Sequence, residues 1–262
     1  SVYVYDQIGS GRSSRLTDVS GYTLARHVED LEAIRLQLGV EQFDIIGVSW
    51  GTVLASHYIA RYPGRVRRAV YVSPGILGSR DDIDYDFSAS ASSDFDGVVL
   101  PPARIIVAGL LARANPRLAT QFMPEAEAAA AVDILALNPS LEYQGRCKGA
   151  EIQTGGSRGV GANYYANLVA AQSLRRAQDP TAAIAATAPP ALMIHGVCDY
   201  IPRSALKRYQ AAYPNNSIID VENAGHSLLG SRADVVLPAA TCWLTQKDVE
   251  RCRAREGSQP AE

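Results

Sequence analysis

The chain has 262 residues, 47% of them hydrophobic and 20% charged, with a formal net charge of −2. That is enough apolar material for a substantial core, either as one large domain or as a core with an insertion. The near-neutral balance, with no dense Lys/Arg cluster interleaved with aromatics, excludes a nucleic-acid binder, and no stretch is long and apolar enough to span a bilayer.

Val2-Tyr3-Val4-Tyr5 is β-branched and aromatic, which predicts a strand ending in the polar glycine loop Asp6 to Ser13. Thr23 to Leu38 carries apolar residues at helical spacing and stops at Gly39, as an amphipathic crossover helix would. Phe43-Asp44-Ile45-Ile46 is a short strand running into Gly47-Val48-Ser49-Trp50-Gly51, and a helical pattern follows to Tyr62, where Pro63-Gly64 ends it. Ala69 to Ser73 reads as the next strand, closed by Pro74-Gly75. Strands alternating with helices are the grammar of a parallel α/β sheet.

From 76 to 188 the alternation lapses. An acidic loop (Asp81, Asp82, Asp84, Asp86) leads into helix-like runs at Ala103 to Ala114, Pro124 to Leu137 and Tyr164 to Ala177, so this stretch reads as a helical insertion. The run Gly155 to Gly161 lacks the Gly-Lys-Ser/Thr ending of a phosphate loop and reads as a connection. Alternation resumes with strands at Ala191 to His195 and Ser217 to Val221 around a helix at Arg203 to Tyr213, and a last helix covers Ala233 to Gln246. The expected division is therefore a core of 1–75 and 189–262 with an insertion of 76–188.

Four cysteines without a Cys-x-x-Cys pair make zinc a poor reading, and no metal site is expected. Cys242 and Cys252 are spaced for a short disulfide, whereas Cys147 and Cys198 lie far apart in sequence. A bridge would place the protein outside the reducing cytosol, and four free thiols would suit the cytoplasm.

The pattern Gly-x-Ser-x-Gly occurs in ordinary loops, but between a strand and a helix it reads as a nucleophile elbow. The sharp turn needs small residues on both sides of the serine, a need Gly47 and Gly51 meet. Ser49 then sits at a helix N-terminus, where unpaired N–H groups favour developing negative charge, and the Trp50 N–H is the first candidate oxyanion donor. A serine hydroxyl is a feeble nucleophile without a histidine to take its proton and an acid to orient that histidine. Such groups converge in loops at the C-terminal ends of parallel strands. His226 follows a late strand and Asp199 follows the strand before it, which makes them the expected base and acid. His195 lies within a strand, His57 on the elbow helix and His27 on an amphipathic helix; Asp220 lies within a strand and Asp179 at the edge of the insertion.

Asp6 to Ser13, Gly47 to Thr52, His195-Gly196-Val197-Cys198-Asp199 and Ala224-Gly225-His226-Ser227 together resemble the α/β-hydrolase superfamily, in particular its proline iminopeptidase and tripeptidyl aminopeptidase group. The resemblance covers 1–75 and 189–245. It implies a mostly parallel sheet flanked by helices, Ser49 as nucleophile, Asp199 as acid, His226 as base, a helical cap over the site, and no cofactor. In that group a cap glutamate just before a Tyr-Phe-type pair grips the substrate's amino terminus. The comparable stretch here, Gly159 to Tyr165, has no acid. Tyr164 and Tyr165 are therefore expected at the substrate, with Glu142, Glu151, Glu125 or Glu127 as substitute carboxylates.

The family fold also has strands before Val2 and a loop after its third strand that gives the second oxyanion N–H, a group worth about 10²–10³ in rate. These strands are missing from this chain, so the expectation is a separate N-terminal segment of the same precursor completing the sheet between Val2–Tyr5 and the elbow strand. The implied activity is acyl transfer to water, with removal of amino-terminal residues from peptides first. An esterase, thioesterase or acyltransferase acting on a lipophilic small molecule comes second, and a catalytically silent scaffold third.

Overall fold

The structure is a computed structural model and describes residues 1–78, 83–84, 102–136, 147–148 and 163–245. Its residues group into two compact units. One comprises Ser1–Ala33, Asp96–Glu142 and Glu151–Ala177, and the other Ile34–Phe95, Tyr143–Ala150 and Gln178–Glu262. Residues 1–33 thus group with the helical segments rather than with the sheet.

In chain order the elements are a 3-10 turn at Val19–Gly21, α1 (Leu24–Gln37), β1 (Phe43–Val48), α2 (Trp50–Arg61), β2 (Val66–Val72), α3 (Ala103–Ala114), α4 (Pro116–Phe122) and α5 (Glu125–Ala136). They continue as α6 (Tyr164–Leu174), α7 (Thr181–Ala185), β3 (Ala191–Gly196), α8 (Leu206–Ala212), β4 (Asn216–Val221), α9 (Leu228–Ser231) and α10 (Ala233–Thr245). Among the described residues the sheet has four strands in the order β1-β2-β3-β4, every pair parallel. Val48 lies opposite Val72, Val72 opposite Ile194, and Ile194 opposite Ile219. All four C-terminal ends therefore open toward the same side.

Period-two side chains divide the sheet's two faces. Val70, Val72, Leu192, Ile194, Ile219 and Val221 pack against α10 through Val236, Ala240 and Trp243. On the opposite face Tyr71 meets Tyr209 and Tyr213 of the α8 segment edge-on, with ring centroids 5.5 and 5.3 Å apart. The two edge strands are not buried on both faces: Ile46 and Val48 of β1 remain 50% and 40% exposed, and Asp220 of β4 is exposed.

The strand expected at Val2–Tyr5 is not formed. Val2, Tyr3 and Val4 are exposed and their segment joins no sheet, because alternation stabilises a strand only where a neighbour accepts its backbone hydrogen bonds. β1 is accordingly an open edge of the described sheet, with no strand of residues 1–5 beyond it. The residues that follow instead build the core of the first unit. Ile8, Val19 and Tyr22 pack with Ile105, Met123 and Tyr165, and a Cβ on Gly9, at φ 85°, would collide with Tyr22 and Ala166.

Cys147 and Cys198 form a disulfide, a pairing not expected from their spacing. Cys242 is also disulfide-bonded; Cys252, its expected partner, lies outside the described residues, as do Asp81, Asp82, Asp86 and the Gly155–Gly161 run.

Candidate active site

The site is built on three strand ends of the second unit. β1 stops at Val48, and Ser49 turns the chain into α2 with φ 50° and ψ −117°, a backbone region that L-residues avoid. That conformation is held from both sides. The Ser49 N–H donates to Val72 O at 3.0 Å, while the Ser49 carbonyl accepts from the Thr52 N–H at 3.0 Å and from the Thr52 hydroxyl at 2.7 Å. Gly47 is required by contact, since a Cβ there would lie 2.7 Å from Gly51 O and 2.8 Å from Thr52 N. Gly51 does not share that requirement, because a Cβ at its position meets nothing within 4 Å.

β3 ends at Gly196 and its loop turns back through Asp199, whose N–H donates to Gly196 O at 2.9 Å. β4 ends at Val221, and Asn223, in the left-handed region at φ 54°, starts the loop that carries His226. The two loops are joined where Cys198 N–H donates to Ala224 O at 2.9 Å. Gly196 makes this approach possible, because a Cβ there would lie 2.4 Å from Ala224 O and 2.5 Å from Gly225 O.

The side chains then meet. His226 Nε2 lies 2.8 Å from Ser49 Oγ, and Nδ1 lies 2.9 Å from each carboxylate oxygen of Asp199. Asp199 is buried, and one of its oxygens also accepts from the Ile201 N–H at 2.8 Å. Because the carboxylate can only accept, Nδ1 carries the ring proton and Nε2 is left to accept the serine's hydrogen. Ser49 and Trp50 are both partly accessible, as a residue that must meet a ligand requires.

The other candidates are held by burial or by contacts outside the trio. His195 is buried with Nε2 3.0 Å from Ile201 O, so it buttresses the loop carrying Asp199. His27 and His57 are both held below the usual imidazole range by burial. Asp220 accepts from Arg203 at 2.8 and 2.9 Å, and Asp179 accepts from Arg208 at 3.1 Å and from the Thr181 N–H at 2.9 Å.

Of the residues expected at the substrate, Tyr165 is fully buried in the first unit, its hydroxyl within 2.8 Å of the carbonyls of Ala119 and Met123. Tyr164 is half-buried and donates to Ile105 O at 3.2 Å. Glu127 pairs with Arg104, and Glu125 accepts from the Tyr22 hydroxyl at 3.2 Å and from the Asn163 amide. Glu142 and Glu151 lie outside the described residues. Among the described residues no group of His, Cys, Asp and Glu is placed to hold a metal ion, and no helix is long and apolar enough to cross a membrane.

Three neighbours of the trio escape a reading of the sequence. Tyr200 lies with its ring 4.5 Å from that of His226, Ser73 donates to the His226 carbonyl at 2.6 Å, and Thr52 holds the Ser49 carbonyl. Tyr200 directly follows Asp199, a proximity that could have marked it. The Ser73 contact joins two strand ends and leaves no trace in the sequence, whereas Thr52 follows Ser49 by three residues and only the folded elbow shows its hydroxyl turned back onto the Ser49 carbonyl.

The family model for the alpha/beta hydrolase fold matches residues 1–233. The chain belongs to the α/β-hydrolase family. Within this family, a proline iminopeptidase of Heyndrickxia coagulans is 41% identical over 73 residues, 28% of this chain and 25% of that protein. The match thus spans about a quarter of that curated relative's length. Among solved α/β-hydrolases, an esterase from Exiguobacterium antarcticum superposes with a TM-score of 0.56 at 12% identity, covering 92% of this chain and 80% of that one. A proline iminopeptidase of Mycobacterium smegmatis superposes with a TM-score of 0.53 at 17% identity, covering 96% and 80%. At these identities the superpositions speak for the fold alone.

Proposed function

We propose that this α/β-hydrolase is a serine hydrolase that cleaves an acyl bond through an acyl-enzyme. The observation carrying the reading is the unbroken line from Ser49 Oγ through His226 to the buried Asp199, mounted on a strained elbow. In the first step Ser49 Oγ attacks the substrate carbonyl while His226 Nε2 takes its proton, and Asp199 stabilises the resulting imidazolium. The Trp50 N–H, at the start of α2, donates to the oxygen that becomes negative. Collapse of the tetrahedral intermediate expels the leaving group, which receives the proton from His226. Water, deprotonated by the same imidazole, then releases the acyl group and restores the serine hydroxyl.

The finer reading is an aminopeptidase-like activity releasing N-terminal residues from peptides, supported by the local identity to a proline iminopeptidase. A separate segment completing the sheet belongs to the same proposal. The motive is the open edge of β1 with Ile46 and Val48 exposed beside the nucleophile, where an added strand would bring a second oxyanion donor. Light scattering on natively purified protein tests that part, since full reactivity at the 28.1 kDa mass of the chain alone overturns it.

The central test is labelling with a serine-directed fluorophosphonate. The intact protein is expected to be modified at Ser49, and Ser49→Ala to be inert. An unmodified Ser49 in folded protein would leave a silent scaffold. A panel of aminoacyl anilides against short-chain and long-chain esters then reads the substrate class, and preference for acyl groups without a free amine overturns the aminopeptidase reading in favour of an esterase, thioesterase or acyltransferase.

A further inference from the structure

We propose that the turn Ser73-Pro74-Gly75 after β2 is a two-sided clamp that sets the distance between Ser49 and His226, with Thr52 and Tyr209 as positioning residues on its nucleophile side. The inference rests on the serine-hydrolase reading.

On the base side, Ser73 is fully buried and adopts φ 46°. Its N–H is fixed on Ile194 O at 2.8 Å, and its hydroxyl donates to the His226 carbonyl at 2.6 Å. That carbonyl also accepts from the Leu228 N–H at 2.9 Å, so the backbone of the base is held from two directions. On the nucleophile side, a Cβ on Gly75 would lie 3.0 Å from Ser49 O and 2.8 Å from Val53, so the turn lies directly against the elbow. The Gly75 N–H donates to Thr52 Oγ1 at 2.9 Å.

Counting hydrogens assigns the rest of the network. The Thr52 hydroxyl has one hydrogen and two lone pairs. Its hydrogen goes to Ser49 O at 2.7 Å, and one lone pair takes the Gly75 N–H. Tyr209 Oη lies 2.8 Å away and must therefore donate into the second lone pair. Burial holds the Tyr209 phenol far above its usual range, so it keeps that proton at any working pH. The Thr52 hydroxyl is thus saturated, fully buried and fixed in direction, and its one donated bond bears on the strained residue that carries the nucleophile. Three consecutive residues thereby reach the backbones of both Ser49 and His226, which are 177 positions apart in sequence.

The test compares Ser73→Gly, which suits the left-handed backbone and removes the buried CH2OH group, with Thr52→Val, Thr52→Ser and Tyr209→Phe. The readout is fluorophosphonate labelling resolved into the reagent's binding constant and the first-order rate of modification. Ser73→Gly and Thr52→Val are expected to lower the modification rate about 10- to 100-fold with the binding constant little changed, as a misplaced reacting pair would. Thr52→Ser is expected to restore the rate, and Tyr209→Phe to give a smaller loss. Because both sides act on one distance, the Ser73→Gly/Thr52→Val double variant is expected to lose less than the product of the single losses. Thermal melting confirms folding, and Ser73→Gly keeps the proposal testable if Thr52→Val does not fold. Folded variants that modify at the parent rate, or a double variant whose loss is the full product, overturn the clamp. Failure of the parent protein to label at Ser49 is a different result, which overturns the hydrolase reading itself.

Discussion

Ser49 stores backbone strain of about 1–3 kcal/mol that its surroundings must offset, and Gly47 is what lets them come close enough. Gly47→Ala places a methyl against backbone that cannot rotate away, so a loss of about 1–3 kcal/mol or more is expected on denaturant unfolding. Gly51 lies in α2 with open space around its Cα, and Gly51→Ala is expected to be neutral or to stabilise by about 0.5–1 kcal/mol. Equal losses at the two positions would contradict this asymmetry. The Gly-x-Ser-x-Gly pattern presents the glycines as equivalent, and only the position of the α2 backbone separates them. Ser49, Asp199 and His226 were legible because each is a chemically committed residue beside a strand end. Ser73 and Thr52 were not, because a buried hydroxyl is identified by the partners it meets in the fold: the distant His226 carbonyl for Ser73, and for Thr52 the Gly75 N–H and Tyr209 hydroxyl that fix it on the nearby Ser49 carbonyl.

At the level of elements, the helices with sustained apolar periodicity were readable to within a few residues, α1 and α3 among them. The seven-residue α4 escaped because so short a segment carries little periodicity, although Asn115 caps it through its side chain and Pro116 opens it. α5 carries a testable electrostatic feature in its first residue. Burial raises the Glu125 carboxyl above its usual range, against the opposing influence of the Tyr22 hydroxyl and Arg15. Through the window from the ordinary glutamate range up to that raised value, the folded chain binds more protons than the unfolded one. Stability is therefore lost as the pH rises through this window. Glu125→Gln, which cannot ionise, is free of that loss. The melting temperature of the parent protein minus that of Glu125→Gln is expected to fall as the pH goes from about 4 to about 7. A difference that stays constant or grows would show that burial does not govern this carboxyl.

For the whole molecule the organising fact is that the chain leaves the second unit and returns to it twice, at Tyr143–Ala150 and at Gln178. The brief first return is secured covalently, by the disulfide from Cys147 to Cys198, the residue immediately before Asp199. Spacing alone could not reveal it, because a bridge across 51 positions depends on where an inserted segment folds back. In the chain-entropy account, closing a loop of that length stabilises the folded state by about 4 kcal/mol. Bonded cysteines of this kind persist in oxidising compartments, and a thiol reagent would open the bridge at Cys242 as well. The Cys147→Ala/Cys198→Ala variant isolates the one tether. It is expected to melt lower by roughly 2–4 °C for each kcal/mol lost. Its fluorophosphonate labelling is also expected to slow, because Asp199 would be carried on a loop that has lost its anchor. A variant that melts with the parent protein and labels at the same rate would show that the hydrogen bonds of Cys198 and Asp199 to Ala224 and Gly196 hold the acid in place without the sulfur bridge.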